Sequence, residues 1–254
     1  MSPNRSLLRT IGILCALAWL AMTTVACRAR GHNVSSPILL FTGTGTSPGD
    51  VAALETVLNA NHFNYASVSS AQLNRMDVDR IRRYRLLIVP GGNFVEMGNS
   101  LTLRTTANIR DGVQNGLNYL GICAGAFLAG SFPQPYRALN LTSGVQFGFY
   151  DAARSLHKTT VPITIAGGPT LDQYWEDGPQ LTGWGAVVAK YPDGTPAIVQ
   201  GNFGTGSVIL TGIHPEAPES WRRGMTFNTP AGTDNAFAAT LIEAALTRTS
   251  LSHF

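Results

Sequence analysis

A cysteine flanked by glycines is the residue of this sequence best suited to do chemistry. Cys123 lies in the segment GICAG, residues 121–125, with a glycine two positions before it and another two positions after it. A thiolate is a strong nucleophile, and paired glycines allow the tight strand-to-helix turn that presents a nucleophile at the edge of a sheet. The start of a helix would favour the thiolate and supply N–H donors. The pattern predicts a catalytic nucleophile, with an inert, buried cysteine as the alternative.

A histidine further along the chain offers the acid–base group that a thiolate needs. His214 follows the hydrophobic segment 208–213, and Glu216 lies two residues further on. Histidine takes and returns a proton near neutral pH, and a neighbouring carboxylate fixes its tautomer. The sequence predicts His214 as base and acid and Glu216 as its orienting residue. An ordinary loop or core histidine is the alternative.

These residues need elements that bring them together. From residue 37 the chain alternates between apolar, strand-like segments and helix-like segments, which is the pattern of a parallel sheet covered on both faces. The predicted strands are residues 37–41, 63–68, 85–89 and 117–122, and the predicted helices are residues 50–59, 70–76, 102–115 and 124–129. Open α/β sheets place their sites at the carboxyl ends of the strands, so we expect Cys123 and His214 at the same edge.

The C-terminal half has shorter alternating segments separated by glycine and proline. It predicts strands and hairpins, followed by a last helix. The predicted strands are residues 161–165, 186–190, 197–200 and 207–211, and the last helix is residues 235–247. The sequence therefore predicts one α/β domain, residues 36–254, with a mostly parallel sheet flanked by helices and extra β-hairpins in its C-terminal half.

The first 26 residues have the pattern of a secretory signal peptide. Two arginines precede an apolar run at residues 11–25, and small residues follow. The run is shorter than the ~20 residues that span a bilayer, so cleavage after Ala26 is favoured over a permanent anchor. We expect an exported protein, periplasmic or membrane-anchored in a bacterial cell envelope, with residues 27–35 as a flexible mature N-terminus.

The residue after the expected cleavage point is itself a cysteine. Cys27 follows small residues, as in the lipobox of bacterial lipoproteins, although Thr24 stands where that motif usually has leucine. A lipid on Cys27 would attach the protein to a membrane, whereas without it the mature protein would be secreted or periplasmic. Of the three cysteines, Cys15 lies within the signal peptide. Cys123 is therefore expected to be alone in the folded body, and no internal disulfide is predicted.

Charge and composition exclude several classes of partner. The formal net charge of +3 falls to +1 when the two arginines of the signal peptide are removed. A nearly neutral domain lacks the basic surface that binds nucleic acid, so no nucleic-acid partner is predicted. Carboxylates and histidines are scattered along the sequence, and it contains neither a dinucleotide nor a P-loop fingerprint. No metal or other cofactor is predicted.

Three motifs in a fixed order resemble class I glutamine amidotransferases. They are PGG at residues 90–92, YLGICAGAF at residues 119–127, and GTGSVIL at residues 204–210 ahead of HPE at residues 214–216. More narrowly, they resemble the amidotransferase-like domain at the N-terminus of eukaryotic biotin-protein ligases, which also occurs in free-standing bacterial proteins. The resemblance extends from about residue 36 to the last helix. It implies a flavodoxin-like fold and a triad of Cys123, His214 and Glu216.

The resemblance also implies an oxyanion hole and a substrate pocket. In the family, N–H groups of the glycine-rich turn after the third strand and of the residue after the cysteine face the developing oxyanion. The corresponding residues here are Gly92 or Asn93, and Ala124. An aromatic-glycine segment lies near the site in the biotin-ligase-like domains, and the predicted pocket residues at the matching place are Tyr174, Trp175 and Gly178. Exposed aromatic residues at a hairpin are the alternative.

The sequence departs from other branches of this superfamily. Ala124 stands where the intracellular protease and deglycase branch usually has histidine, and Cys123 stands where a peptidase branch has serine. We expect no synthetase domain to receive ammonia, and an exported protein has no obvious ATP-dependent acceptor.

The leading hypothesis is an exported cysteine amidohydrolase that cleaves a C–N amide bond of an unknown small molecule or peptide. One alternative is a non-catalytic ligand-binding or scaffold module. The other is a glutaminase that supplies ammonia to a partner. The sequence leaves the oligomeric state open.

Overall fold

The computed structural model describes residues 37–150 and 157–254. The strands of these residues are β1 (Ile38–Phe41), β2 (Tyr65–Val68), β3 (Leu86–Val89), β4 (Asn118–Ile122), β5 (Gly148–Phe149), β6 (Lys158–Ile165), β7 (Thr170–Glu176), β8 (Pro179–Gln180), β9 (Ala186–Lys190), β10 (Pro196–Phe203) and β11 (Gly206–Thr211). Nine of them form one sheet in the order β2-β1-β3-β4-β11-β10-β9-β6-β7, and β5 pairs with β8. The signal peptide, the 27–35 segment and Cys27 lie outside the described residues.

Helices connect most strands of the first half, and another helix follows the last strand of the chain. They are α1 (Pro48–Ala60), α2 (Ser70–Leu73), α3 (Val78–Ile81), α4 (Phe94–Ser100), α5 (Leu103–Gln114), α6 (Ala124–Ala129) and α7 (Ala231–Thr247), with a 3-10 helix at Glu219–Arg222. The start of α1 is well specified, because the Ser47 side chain accepts a hydrogen bond from the N–H of Asp50 and Pro48 occupies the first turn. In the part of the chain that the structure describes, no helix has the length and apolar character needed to cross a bilayer.

The sheet has a parallel half and an antiparallel half. β2, β1, β3, β4 and β11 are parallel neighbours, in the strand order of flavodoxin-like folds. From β11 onwards, β10, β9, β6 and β7 pair antiparallel. The predicted α/β fold, with helices around a parallel sheet and hairpins in the C-terminal half, is confirmed.

Both faces of the parallel half are buried, as continuous apolar strand sequences predict. Ile38 and Leu40 of β1 belong to one apolar cluster, which also contains residues of α1 and α7. Leu39 and Phe41 belong to a second cluster with residues of α5 and α6. Successive side chains of a strand point to opposite faces, so β1 joins the two clusters. This packing fixes the strands whose carboxyl ends carry the candidate site.

Some elements differ from the sequence predictions. α6 and β9 have the predicted bounds, whereas α7 begins at Ala231 instead of residue 235. The helices α3 and α4 were not predicted, because such short segments show little periodicity. The strand β7 was not predicted either. It pairs with β6 from Thr170 to Glu176 in a hairpin, so cross-strand pairing decides its conformation.

The parallel strands deliver several loops to one edge. β3 leads into residues 90–92, β4 leads into Cys123, and β11 leads into the loop that carries His214. β1 leads into the turn that precedes α1. The expectation that Cys123 and His214 share the carboxyl edge of the sheet therefore agrees with the structure.

Candidate active site

Cys123 occupies a sharp turn between β4 and α6. Its backbone has φ +49° and ψ −104°, a conformation that residues with side chains rarely adopt. The N–H of Cys123 donates to the carbonyl of Thr211 at 2.8 Å, which ties the turn to the end of β11. The strained conformation is held by its surroundings, as is common for residues that serve a function. The predicted sharp strand-to-helix turn at Cys123 is thus present in the backbone.

The two glycines of the elbow make room for close backbone packing. A Cβ on Gly121 would stand 2.5 Å from the carbonyl oxygen of Gly125. A Cβ on Gly125 would stand 2.0 Å from the carbonyl oxygen of Val89 in β3. Backbone atoms cannot move aside as a flexible side chain can, so both positions require glycine.

Cys123 lines a cavity and is 6% exposed as a residue. Its Sγ is 3.4 Å from the backbone carbonyl oxygen of Glu176, to which the thiol donates. Among the described residues, Cys123 is the free cysteine, as the sequence predicted. A ligand bound in this cavity would therefore lie next to Cys123.

His214 sits in a rigid loop after β11. Its backbone N–H donates to the carbonyl of Tyr174 at 2.9 Å. The hydroxyl of Thr211 accepts from the N–H of Ile213 at 3.1 Å and donates to the carbonyl of Ile213 at 3.0 Å, which fixes the approach to His214. The Nδ1 of His214 lies 2.9 Å from Oε1 of Glu216. This hydrogen bond places the ring proton on Nδ1 and directs Nε2 away from Glu216.

The charges around His214 favour its protonated form. Burial alone would lower the pKa of His214, but the charge of Glu216, the charge of Cys123 and the contact with Asp50 raise it well above its usual value of 6.5. Burial raises the pKa of Glu216, and the charge of His214 opposes that rise. The shift of His214 therefore favours an imidazolium next to the carboxyl group of Glu216.

Asp50 is a site residue that the sequence analysis missed. It lies in the first turn of α1 and is 7% exposed, with Oδ1 3.1 Å from Nδ1 of His214. Burial raises the pKa of Asp50, but the contact with His214 outweighs burial, and the net shift is downward. Acidic residues are common in the first turn of a helix, and Asp50 lies three residues after the cap Ser47. The local sequence therefore does not distinguish Asp50 from an ordinary acid at the start of a helix.

A cavity of about 380 Å³ opens above Cys123. Its volume lies near the lower end of the range for small-molecule sites, about 300–1,000 Å³. Three phenylalanines form an apolar wall: the rings of Phe94 and Phe127 lie 4.9 Å apart, and those of Phe127 and Phe149 lie 4.8 Å apart. The described residues that line the cavity are Ser47, Asp50, Gly92, Asn93, Phe94, Cys123, Ala124, Phe127, Phe149, Glu176, Asp177 and His214.

The predicted oxyanion-hole residues all line this cavity, but their N–H groups differ. The N–H of Asn93 donates to the carbonyl of Gly45 at 2.7 Å, so it is not free to bind an oxyanion. Within the described residues, the N–H groups of Gly92 and Ala124 donate to no backbone carbonyl. Of the two candidates in the glycine turn, the structure favours Gly92.

The predicted pocket residues lie elsewhere. Tyr174 is 3% exposed, and its ring contacts that of His214 from the side, with centroids 5.8 Å apart. Trp175 is buried, and its Nε1 donates to the carbonyl of Gly178 at 3.3 Å. None of these three residues lines the cavity above Cys123. The expectation that they line the pocket is therefore wrong, because both faces of β7 are buried and the end of the strand delivers Glu176 and the following residue to the cavity instead.

The fold brings together acidic and histidine side chains that are far apart in the sequence. One side-chain N or O atom each from Asp50, His214 and Glu216 lies within 4.8 Å of the others. The expectation that such groups are scattered is therefore wrong for these three residues. The same three groups can also exchange a proton, because Nδ1 of His214 lies 2.9 Å from Oε1 of Glu216 and 3.1 Å from Oδ1 of Asp50.

Residues 36–153 match the family of the biotin-protein ligase N-terminal domain. No curated protein sequence matches the chain at a significant level. This match supports the narrower resemblance inferred from the three sequence motifs.

Solved structures share the fold at low sequence identity. A glutamine amidotransferase is 18% identical, with a TM-score of 0.56 over 71% of this chain and 91% of that one. PurLQS from Thermotoga maritima is 17% identical, with a TM-score of 0.53 over 82% of this chain and 99% of that one. A catalytic mutant of a GH42 beta-galactosidase from G. stearothermophilus is 13% identical, with a TM-score of 0.51 over 82% of this chain and 30% of that one. The chain therefore has a class I glutamine amidotransferase-like fold and, over residues 36–153, matches the biotin-protein ligase N-terminal family.

Proposed function

We propose that this protein is a cysteine amidohydrolase that cleaves a C–N amide bond of a small molecule or peptide. One observation carries the proposal: an elbow cysteine, Cys123, shares a cavity with His214, whose Nδ1 lies 2.9 Å from Glu216. A nucleophile, an acid–base group and an orienting carboxylate are the parts that acyl transfer through a covalent intermediate requires.

The first half of the reaction forms a thioester. The thiol proton of Cys123 passes to His214, and the thiolate attacks the carbonyl carbon of the amide. The carbonyl oxygen becomes an oxyanion, which the N–H groups of Gly92 and Ala124 would stabilise. The intermediate collapses with cleavage of the C–N bond, and His214 returns its proton to the departing amine.

The second half of the reaction restores the enzyme. His214 removes a proton from water, and the resulting hydroxide attacks the thioester carbonyl. The C–S bond breaks, the carboxylic acid leaves, and Cys123 regains its proton from His214. Glu216 keeps the imidazole in one tautomer during both halves, because its carboxylate accepts from Nδ1.

The reactivity of Cys123 tests the proposal before any substrate is known. The second-order rate of alkylation by iodoacetamide should be far higher for Cys123 than for a free small-molecule thiol at the same pH. His214→Ala should abolish this excess. His253→Ala is the matched control, because His253 is exposed near the C-terminus. Equal alkylation rates in wild type and His214→Ala would refute the proposal.

A non-catalytic binding module is the second candidate. The observation in its favour is the hydrogen bond from the thiol of Cys123 to the carbonyl of Glu176, which uses the protonated form of the sulfur. Cys123→Ala should abolish function if the protein is an enzyme. Full complementation of a deletion strain by Cys123→Ala would favour the binding module.

We also propose that the protein is exported, either as a periplasmic protein or as a lipoprotein attached to a membrane through Cys27. The support is the charge and apolar pattern of the first 26 residues. Mass spectrometry of the protein recovered from a bacterial host should show loss of these residues, and the added mass of a diacylglyceryl group on Cys27 would identify the lipoprotein form. Cys27→Ala should lack the lipid mass. An intact N-terminus in the wild-type protein would refute export by this route.

A further inference from the structure

We infer that Asp50 is a positioning residue: a second carboxylate that, with Glu216, holds the Nδ1 side of the His214 imidazole. The inference rests on the proposed function, since it concerns the group that would act on Cys123. The family motifs supply one carboxylate for this histidine, and the structure supplies two from distant parts of the chain.

Two buried acceptors compete for a single proton. Oε1 of Glu216 lies 2.9 Å from Nδ1 of His214, and Oδ1 of Asp50 lies 3.1 Å from the same atom. The N–H bond points at Glu216, so Oδ1 of Asp50 and Oε2 of Glu216 are buried without a hydrogen-bond partner in the described part of the chain. Unpaired buried carboxylate oxygens are costly, and a nearby positive charge compensates them. The imidazolium of His214 is that charge.

The fold holds Asp50 in place by means that do not involve catalysis. Ser47 caps α1, and its Oγ accepts from the N–H of Asp50 at 3.4 Å. A carboxylate in the first turn of a helix is stabilised by the helix dipole. A Cβ on Gly91 would stand 2.0 Å from Oδ1 of Asp50, so the glycine turn after β3 leaves the space that the carboxylate occupies.

The carboxylates of Glu216 and Asp50 differ in whether they border the cavity. Glu216 is 1% exposed and does not line the cavity, whereas Asp50 does. The other groups that face the imidazole are the thiol of Cys123, the ring of Tyr174 and the ring of Trp221. The hydroxyl of Tyr174 donates to Oε2 of Glu176 at 2.5 Å, so that carboxylate is the next charge beyond the ring. Asp50 is therefore the carboxylate that both contacts His214 and borders the ligand space.

The imidazole itself reports whether Asp50 acts in this way. We would label the protein with 15N-histidine and follow the His214 ring nitrogens through a pH titration, assigning them with His214→Gln. Asp50→Asn and Glu216→Gln should each lower the pKa of His214, and the double variant should lower it further. Asp79→Asn is the matched control, because Asp79 is an exposed acid in the first turn of α3. A titration of Asp50→Asn that coincides with the control would overturn the inference.

A second measurement separates this inference from the proposed function. We expect Asp50→Asn to slow iodoacetamide alkylation of Cys123 about tenfold at neutral pH. This is the size of effect expected from losing one interaction between a carboxylate and a charged group, here that of Asp50 with His214. If wild-type Cys123 reacts like a free thiol, the proposed function fails while the titration still tests Asp50. If Cys123 is reactive in a His214-dependent way and Asp50→Asn leaves the rate unchanged, the inference fails alone. Circular dichroism shows whether Asp50→Asn is folded, and Asp50→Ser replaces it if it is not.

Discussion

Gly91 lies directly against the carboxylate of Asp50. A Cβ on residue 91 would stand 2.0 Å from Oδ1 of Asp50 and 2.7 Å from Cε1 of His214. Both distances are well inside van der Waals contact. The middle residue of the PGG motif must therefore lack a side chain for the carboxylate and the imidazole to approach each other.

Gly91→Ala should separate these two groups. The added methyl group displaces the side chains of Asp50 and His214, and overpacking of this kind typically costs about 1–3 kcal/mol of unfolding free energy. We expect that loss in urea denaturation, together with alkylation of Cys123 slowed towards the rate of His214→Ala. Gly232→Ala is the control, since a Cβ there meets nothing within 4 Å. Normal alkylation in Gly91→Ala would contradict this reading of the motif.

Free glutamine should be a poor substrate. The described residues that line the cavity include the carboxylates of Asp50, Glu176 and Asp177 and include no lysine or arginine. The α-carboxylate of glutamine would meet like charges, which disfavour its binding. We expect ammonia release from glutamine to be slower by about tenfold or more than from its α-carboxamide derivative, which lacks that charge. Cys123→Ala gives the background rate, and faster release from glutamine would favour the glutaminase hypothesis.

The raised pKa of His214 should make stability depend on pH. The folded protein keeps the His214 proton above the usual pKa of 6.5, whereas the unfolded chain releases it there. This contribution to the unfolding free energy is complete below pH 6.5 and is lost as the pH rises through the folded-state pKa, with a slope of up to ~1.4 kcal/mol per pH unit. Urea denaturation at several pH values should show a flatter profile for His214→Gln. Parallel profiles for the two proteins would contradict the raised pKa.

A buried ion pair should contribute strongly to the fold at a distance from the elbow. Arg222 and Asp234 are 5% and 1% exposed, and their side chains are in direct contact. Arg222→Met leaves an uncompensated buried carboxylate and should lower the unfolding free energy by about 3–5 kcal/mol. The double variant Arg222→Met/Asp234→Leu should recover most of that loss. Arg223→Met, at the exposed neighbouring position, should change stability by less than about 0.5 kcal/mol, and an equal loss there would refute the assignment.

Local sequence predicted the elbow well, and the reason is steric. The tight turn around Cys123 needs glycines at fixed spacing, because a Cβ at residue 121 or 125 would overlap backbone atoms. A few consecutive residues contain this whole requirement, so the sequence alone is enough to predict the turn. The same holds for Glu216, since it lies two residues from His214 and contacts it within one loop.

Other features depended on packing that the local sequence pattern does not show. The aromatic residues Tyr174 and Trp175 were expected to line a substrate pocket, but β7 pairs with β6 and buries both. The acids at the end of the same strand face the cavity instead. Tyr174 and Trp175 are consecutive and therefore point to opposite faces of β7, so their burial depends on the packing against both sides of the strand.

The sequence by itself determined the α/β fold, the strained turn at Cys123 and the pairing of His214 with Glu216, because each follows from local periodicity or from neighbours in the chain. Only the tertiary structure decided three features. Asp50 contacts His214, the N–H of Asn93 donates to the carbonyl of Gly45, and a particular set of side chains lines the cavity. These contacts join residues far apart in sequence, and their distances are set by the order of the strands and the packing of α1 against the sheet.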